Sequence, residues 1–132
     1  MPGTSITTIT STSSTARELL IYLYDLSPLD ADIFFRLLKD KRPMKLEELT
    51  RKIDRDKTNI FRSLQRLVNL GLCTKEIRTL QNGGYYHIYS AINIHTSKTK
   101  AEKRMKELQT SLYRILRKFE NDIEKIIAEI PQ

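Results

Sequence analysis

The sequence predicts a mainly α fold with one β-hairpin, followed by one long C-terminal helix. Three observations predict it. Between residues 17 and 71, apolar side chains recur at helical spacing in successive short stretches. Next, LCTKEIRTL and YYHIYSAI alternate with period two on either side of QNGG, and Asn-Gly between such runs is a strong short-range hairpin signal. Last, residues 96–130 contain no proline or glycine while apolar positions return every three or four residues.

The 132 residues suffice for one compact domain, with roughly thirty left for a tail or an assembly element. No window approaches eighteen uninterrupted apolar residues, which argues against a membrane span. The opening MPGTSITTITSTSSTAR has neither the basic start nor the apolar run of a secretory signal, so the expected location is the cytoplasm, on the nucleoid. Cys73 is the only cysteine and cannot form an internal disulfide; with two scattered histidines it offers no zinc spacing. Neither a metal nor a cofactor is expected.

Net charge is +7, and its placement is informative. Residues 1–54 carry eight basic and eight acidic side chains, residues 55–90 six and two, and residues 91–132 nine and six. The surplus therefore collects on the central segment and on the last helix, as in a polyanion binder.

In chain order, residues 1–15 are Ser/Thr-rich and uncharged and read as a disordered arm. A short helix follows over 17–25, with Leu19, Leu20, Tyr22 and Leu23 apolar. Ser27-Pro28 is a cap followed by proline at the first helical position, and the helix it starts buries Ile33, Phe34, Leu37 and Leu38 before Pro43. Residues 46–53 form another, with Leu46, Leu49 and Ile53 inward and Glu47 and Glu48 in a first turn that favours negative charge.

Residues 55–71, RDKTNIFRSLQRLVNLG, organise the rest. Ile60, Leu64 and Leu67 share one face, widened by Phe61 and Val68. Arg55, Asn59, Arg62 and Arg66 lie opposite, with Thr58 and Asn69 at the margin, and Gly71 stands where a left-handed terminator is expected. Guanidinium and amide groups on one face are those that bond phosphate oxygens and purine edges. Two helices joined by a tight turn near Asp54, then a hairpin, make the winged-helix arrangement. Arg78, Gln81, Asn82, Gly83 and Tyr85 fall at or near the hairpin tip, where such a wing meets the minor groove or backbone.

On the long helix, Met105, Leu108, Leu112, Ile115, Phe119, Ile123, Ile126 and Ile130 form a heptad seam with one wide step, Phe119–Ile123. Three short helices cannot cover a stripe about 50 Å long. Pairing with a second copy is the simplest cover; folding back as a fourth core helix is the alternative. Residues 98–118 hold eight Lys/Arg against two Glu, and residues 119–132 one Lys against four acids, which favours an antiparallel pair. The predicted boundaries are 1–15 for the arm, 16–92 for the winged helix and 93–132 for the dimerisation helix.

LEELTRKIDRDKTNIFRSLQRLVNLGLCTKE, with the NGG wing and the long helix, resembles the archaeal TrmB-like transcription regulators and, more distantly, the MarR-type regulators. The resemblance covers residues 28–92 closely and the last helix only in kind. It implies that Lys57, Thr58, Asn59, Arg62 and Arg66 face the major groove, with Arg78 and the Asn82–Gly84 tip on the wing. Larger relatives carry an effector domain that does not follow here, so sugar sensing is not carried over and no small-molecule ligand is expected. The function expected is that of a dimeric regulator bound to double-stranded DNA. An architectural DNA-coating protein and a winged-helix protein–protein adaptor are the alternatives. An enzyme is not expected: there is no glycine-rich phosphate loop and no nucleophile–base pair at recognisable spacing, and His87 and His95 read as surface or packing residues. Cys73 reads as a small buried hydrophobe.

Overall fold

A computed structural model describes residues 5–132; residues 1–4, part of the expected arm, lie outside the described residues. It divides into two compact units, the first ending at Lys98 and the second spanning Thr99–Gln132. The elements are α1 Ile6–Ile9, α2 Ala16–Tyr24, α3 Pro28–Asp40, α4 Leu46–Ile53, α5 Lys57–Asn69, β1 Cys73–Thr79, β2 Tyr85–Ala91, α6 Ile94–Arg117 and α7 Phe119–Ala128.

α1 departs from the expected disorder. The Ser5 hydroxyl accepts the Thr8 N–H at 3.1 Å, the Thr10 hydroxyl donates to the Thr7 carbonyl at 3.1 Å, and no α1 residue is buried. Local hydroxyl–backbone bonds, rather than packing, hold this single turn.

Burial begins with α2, whose Leu20, Ile21, Leu23 and Tyr24 face inward, while Leu19 and Tyr22 are only half-buried. Ser27 then starts α3 with a reciprocal cap: its hydroxyl accepts the Asp30 N–H at 3.0 Å, and the Asp30 carboxylate accepts the Ser27 N–H at 3.0 Å. Ile33, Phe34 and Leu37 of α3 meet Leu49 of α4 and Ile60, Leu64 and Leu67 of α5 in a core from which water is excluded. Burying each such side chain contributes about 1.5–3 kcal/mol. Phe61 departs from the expected inner face and stays 39% exposed.

Gly71 closes α5 with φ +78°. The Leu72 N–H reaches back to the Leu67 carbonyl at 2.9 Å and the Gly71 N–H to the Val68 carbonyl at 3.0 Å, the paired bonds of a left-handed helix end. Leu72 is thereby buried and β1 begins. β1 and β2 pair antiparallel from Cys73↔Ala91 to Thr79↔Tyr85. At the tip the Leu80 N–H donates to the Gly84 carbonyl at 2.7 Å, and Gly83 takes φ +94°. A third partner was not legible: Met44 exchanges both backbone bonds with Tyr89, at 2.9 and 2.8 Å. One residue after Pro43 is too short to show a period.

The last helix is not continuous. The Lys118 N–H bonds the Ile115 carbonyl at 3.1 Å, three residues back, and α7 restarts at Phe119. The break stands immediately before the wide step of the heptad seam, where an offset in the repeat changes the local winding. α6, with 24 residues, spans about 36 Å, and α7, with 10, about 15 Å. Among the described residues no helix is long and apolar enough to cross a membrane.

Candidate nucleic-acid interface

The first unit presents α5 through a three-residue turn. Asp54 ends α4 in the left-handed region (φ +56°), its N–H bonded to the Thr50 carbonyl at 3.0 Å, and Lys57 opens α5. Because Ile60, Leu64 and Leu67 anchor the inner side, the outer side is fixed by default. Arg55, Lys57, Thr58, Asn59 and Arg62 are all exposed there. Gln65, not singled out from the sequence, is exposed one turn beyond Arg62 and adds an amide to that face. Its polar type at i+3 from Arg62 was the available signal.

Arg66 differs from its neighbours. Its Nε donates to Asp30 Oδ2 at 3.1 Å, and its Nη2 donates to Asp30 Oδ1 at 2.8 Å and to the Ser63 hydroxyl at 3.2 Å. Asp30 is 1% exposed, so this guanidinium compensates a buried carboxylate. Burial would raise the Asp30 carboxyl, but hydrogen bonds from Arg66, Ser63 and the Ser27 amide outweigh it and hold the group below its ordinary value. The Arg66 side chain itself remains 50% exposed, so the guanidinium expected at the groove also serves the fold. The signal was Asp30, a charged residue on the apolar-facing first turn of α3.

Two other cations have exposed carboxylate neighbours. Lys57 Nζ lies 3.3 Å from Glu47 Oε2, and Arg78 Nη1 lies 3.1 Å from Glu76 Oε2. Arg55 and Arg62 have no ion-pair partner among the described residues.

The hairpin is tied to the helix pair twice. Met44, just before α4, bridges to Tyr89, and Lys45 Nζ sits 4.2 Å from the centre of the Tyr86 ring. Beyond that base the wing is open. Arg78, Gln81, Asn82 and Gly83 are exposed, and Tyr85 is 65% exposed with its ring edge-on to His87 at 5.8 Å. Cys73 lies at the buried start of β1, where desolvation pushes its thiol up to about 12. A thiol so held carries almost no thiolate at neutral pH.

In the second unit the apolar seam faces solvent. Met105, Leu112, Ile115, Phe119, Ile123, Ile126 and Ile130 are exposed, and Leu108 is half-buried. Tyr113, Leu116 and Ile127 are also exposed and widen the stripe beyond the eight positions read from the sequence.

A family model described as "Sugar-specific transcriptional regulator TrmB" matches residues 20–95 of this chain. An uncharacterised protein of Methanocaldococcus jannaschii, MJ1503, is 30% identical over 96 residues, 73% of this chain and 72% of that protein. Among solved structures, a "Possible transcriptional regulator" from Methanosarcina mazei Go1 superposes with a TM-score of 0.71 at 18% identity, over 81% of this chain and 90% of its own. ST1889 from the thermoacidophilic archaeon Sulfolobus tokodaii gives 0.59 at 18% identity, over 73% and 93%. At such identity the two structures speak for the fold alone.

Proposed function

Given that the chain belongs to the family of the sugar-specific transcriptional regulator TrmB, we propose that it works as a homodimer that binds double-stranded DNA with α5 in the major groove and the β1–β2 wing on the minor groove or backbone. One observation carries this reading: α5 is anchored by fully buried Ile60, Leu64 and Leu67 and turns Thr58, Asn59, Arg62 and Gln65 outward beside exposed Arg55 of the preceding turn, with no acidic side chain between Lys57 and Asn69. Cations and amides on an otherwise acid-free helix face suit a polyanion whose base edges offer both donors and acceptors.

Dimerisation is supported by the uncovered stripe of α6 and α7. Exposed Leu112, Leu116, Phe119, Ile123, Ile126 and Ile130 form a longer apolar surface than a lone helix holds in water. An antiparallel pair would set the basic residues 98–118 against the acidic residues 119–132. Selection of bound sequences from random duplexes, followed by footprinting, tests the reading. Discrete, two-fold symmetric protection with half-sites about 34 Å apart is expected. Protection that spreads with protein concentration would point instead to an architectural coat.

A further inference from the structure

We propose that Glu47 and Glu76 set the DNA selectivity of this chain, each acting as a built-in competitor for a cation that would otherwise take a phosphate. The proposal rests on the DNA-binding reading above. Glu47, in the first turn of α4, pairs with Lys57, whose Nζ is 3.3 Å away at the opening of α5. Glu76 holds Arg78 at 3.1 Å on the wing. Both carboxylates are more than half exposed, at 59% and 54%. An exposed pair of this kind contributes little to folding. Asp30 shows the contrast, since it is buried and capped from two sides.

The consequence differs between kinds of DNA. Binding to arbitrary sequence rests on phosphate contacts, so a carboxylate beside the contacting cation opposes it directly. At a cognate site the same carboxylate can be compensated, because a glutamate accepts from the cytosine N4 amine in the major groove. That exchange falls to Glu47, on α4, whose carboxylate lies 3.3 Å from Nζ of Lys57, the residue that opens α5; Glu76, on the wing, acts only by opposing phosphate. Removing the two charges should therefore strengthen binding to random DNA more than binding to the cognate site.

The test titrates full-length wild type, Glu47→Gln, Glu76→Gln and the double variant against a random duplex and a selected duplex at several salt concentrations, with melting temperatures alongside. Tighter random-duplex binding by roughly three- to tenfold in the double variant is expected, with a steeper salt dependence. The ratio of selected to random affinity should fall, while Glu47→Asp, which keeps the charge, should stay near wild type. Unchanged or weaker random-duplex binding in variants that melt like wild type would overturn the proposal. If wild type binds neither duplex, the DNA-binding reading itself fails, a result distinct from equal binding by all variants.

Discussion

Arg62 and Arg66 stand about one turn apart on α5 with the same charge, yet their surroundings separate them. Both reach solvent, but Arg66 also compensates buried Asp30, whereas Arg62 has no ion-pair partner among the described residues. Arg66→Ala would leave a carboxylate buried beside Ser63 with one partner fewer, and should cost about 1–3 kcal/mol, read as a lower melting temperature. Arg62→Ala should leave melting unchanged and weaken DNA binding by about 1–3 kcal/mol, as measured by gel shift. Asp30 also gives the fold an acid limit. Its carboxyl is held below the unfolded value of about 3.9, so its stabilisation is complete above that pH and is lost as pH falls through the lowered value. Urea melts should show stability falling below about pH 4, with a shallower fall in Asp30→Asn, which starts from a lower stability.

Helix ends and turns were the elements most legible in the sequence, because single residues specify them. Ser27-Pro28 starts α3, Gly71 ends α5 and Asn82-Gly83 turns the hairpin, each where its chemistry required. Gly71→Ala should destabilise by about 1 kcal/mol or more in thermal melts, since a Cβ disfavours φ +78°. What stayed hidden depends on contacts between distant segments. The Met44–Tyr89 bridge joins positions 45 residues apart through backbone groups that every residue carries, and the Asp30–Arg66 pair spans 36 residues. Phe61 illustrates the limit of periodicity: its spacing suits the apolar face, but the edge of that face is open. For the interface, exposure of Arg55, Thr58, Asn59 and Arg62 followed from helical periodicity, and Lys57 came from the family resemblance, whereas partners such as Glu47 followed from neither.

At the scale of the whole molecule, the proposed dimer rests on the uncovered seam and the uneven charge. Ile123→Lys with Ile126→Lys would place cations in the apolar stripe, and sedimentation should then report monomers. Because a dimer engages two half-sites at once, those monomers should also bind a two-site duplex far more weakly than wild type. The most direct measurement of the central claim is an anisotropy titration of the selected duplex at low salt with wild type and with Arg55→Ala/Arg62→Ala, both checked for native melting. The double variant should lose at least tenfold in affinity and show a shallower salt dependence. Equal affinity and equal salt dependence in two folded proteins would contradict the claim.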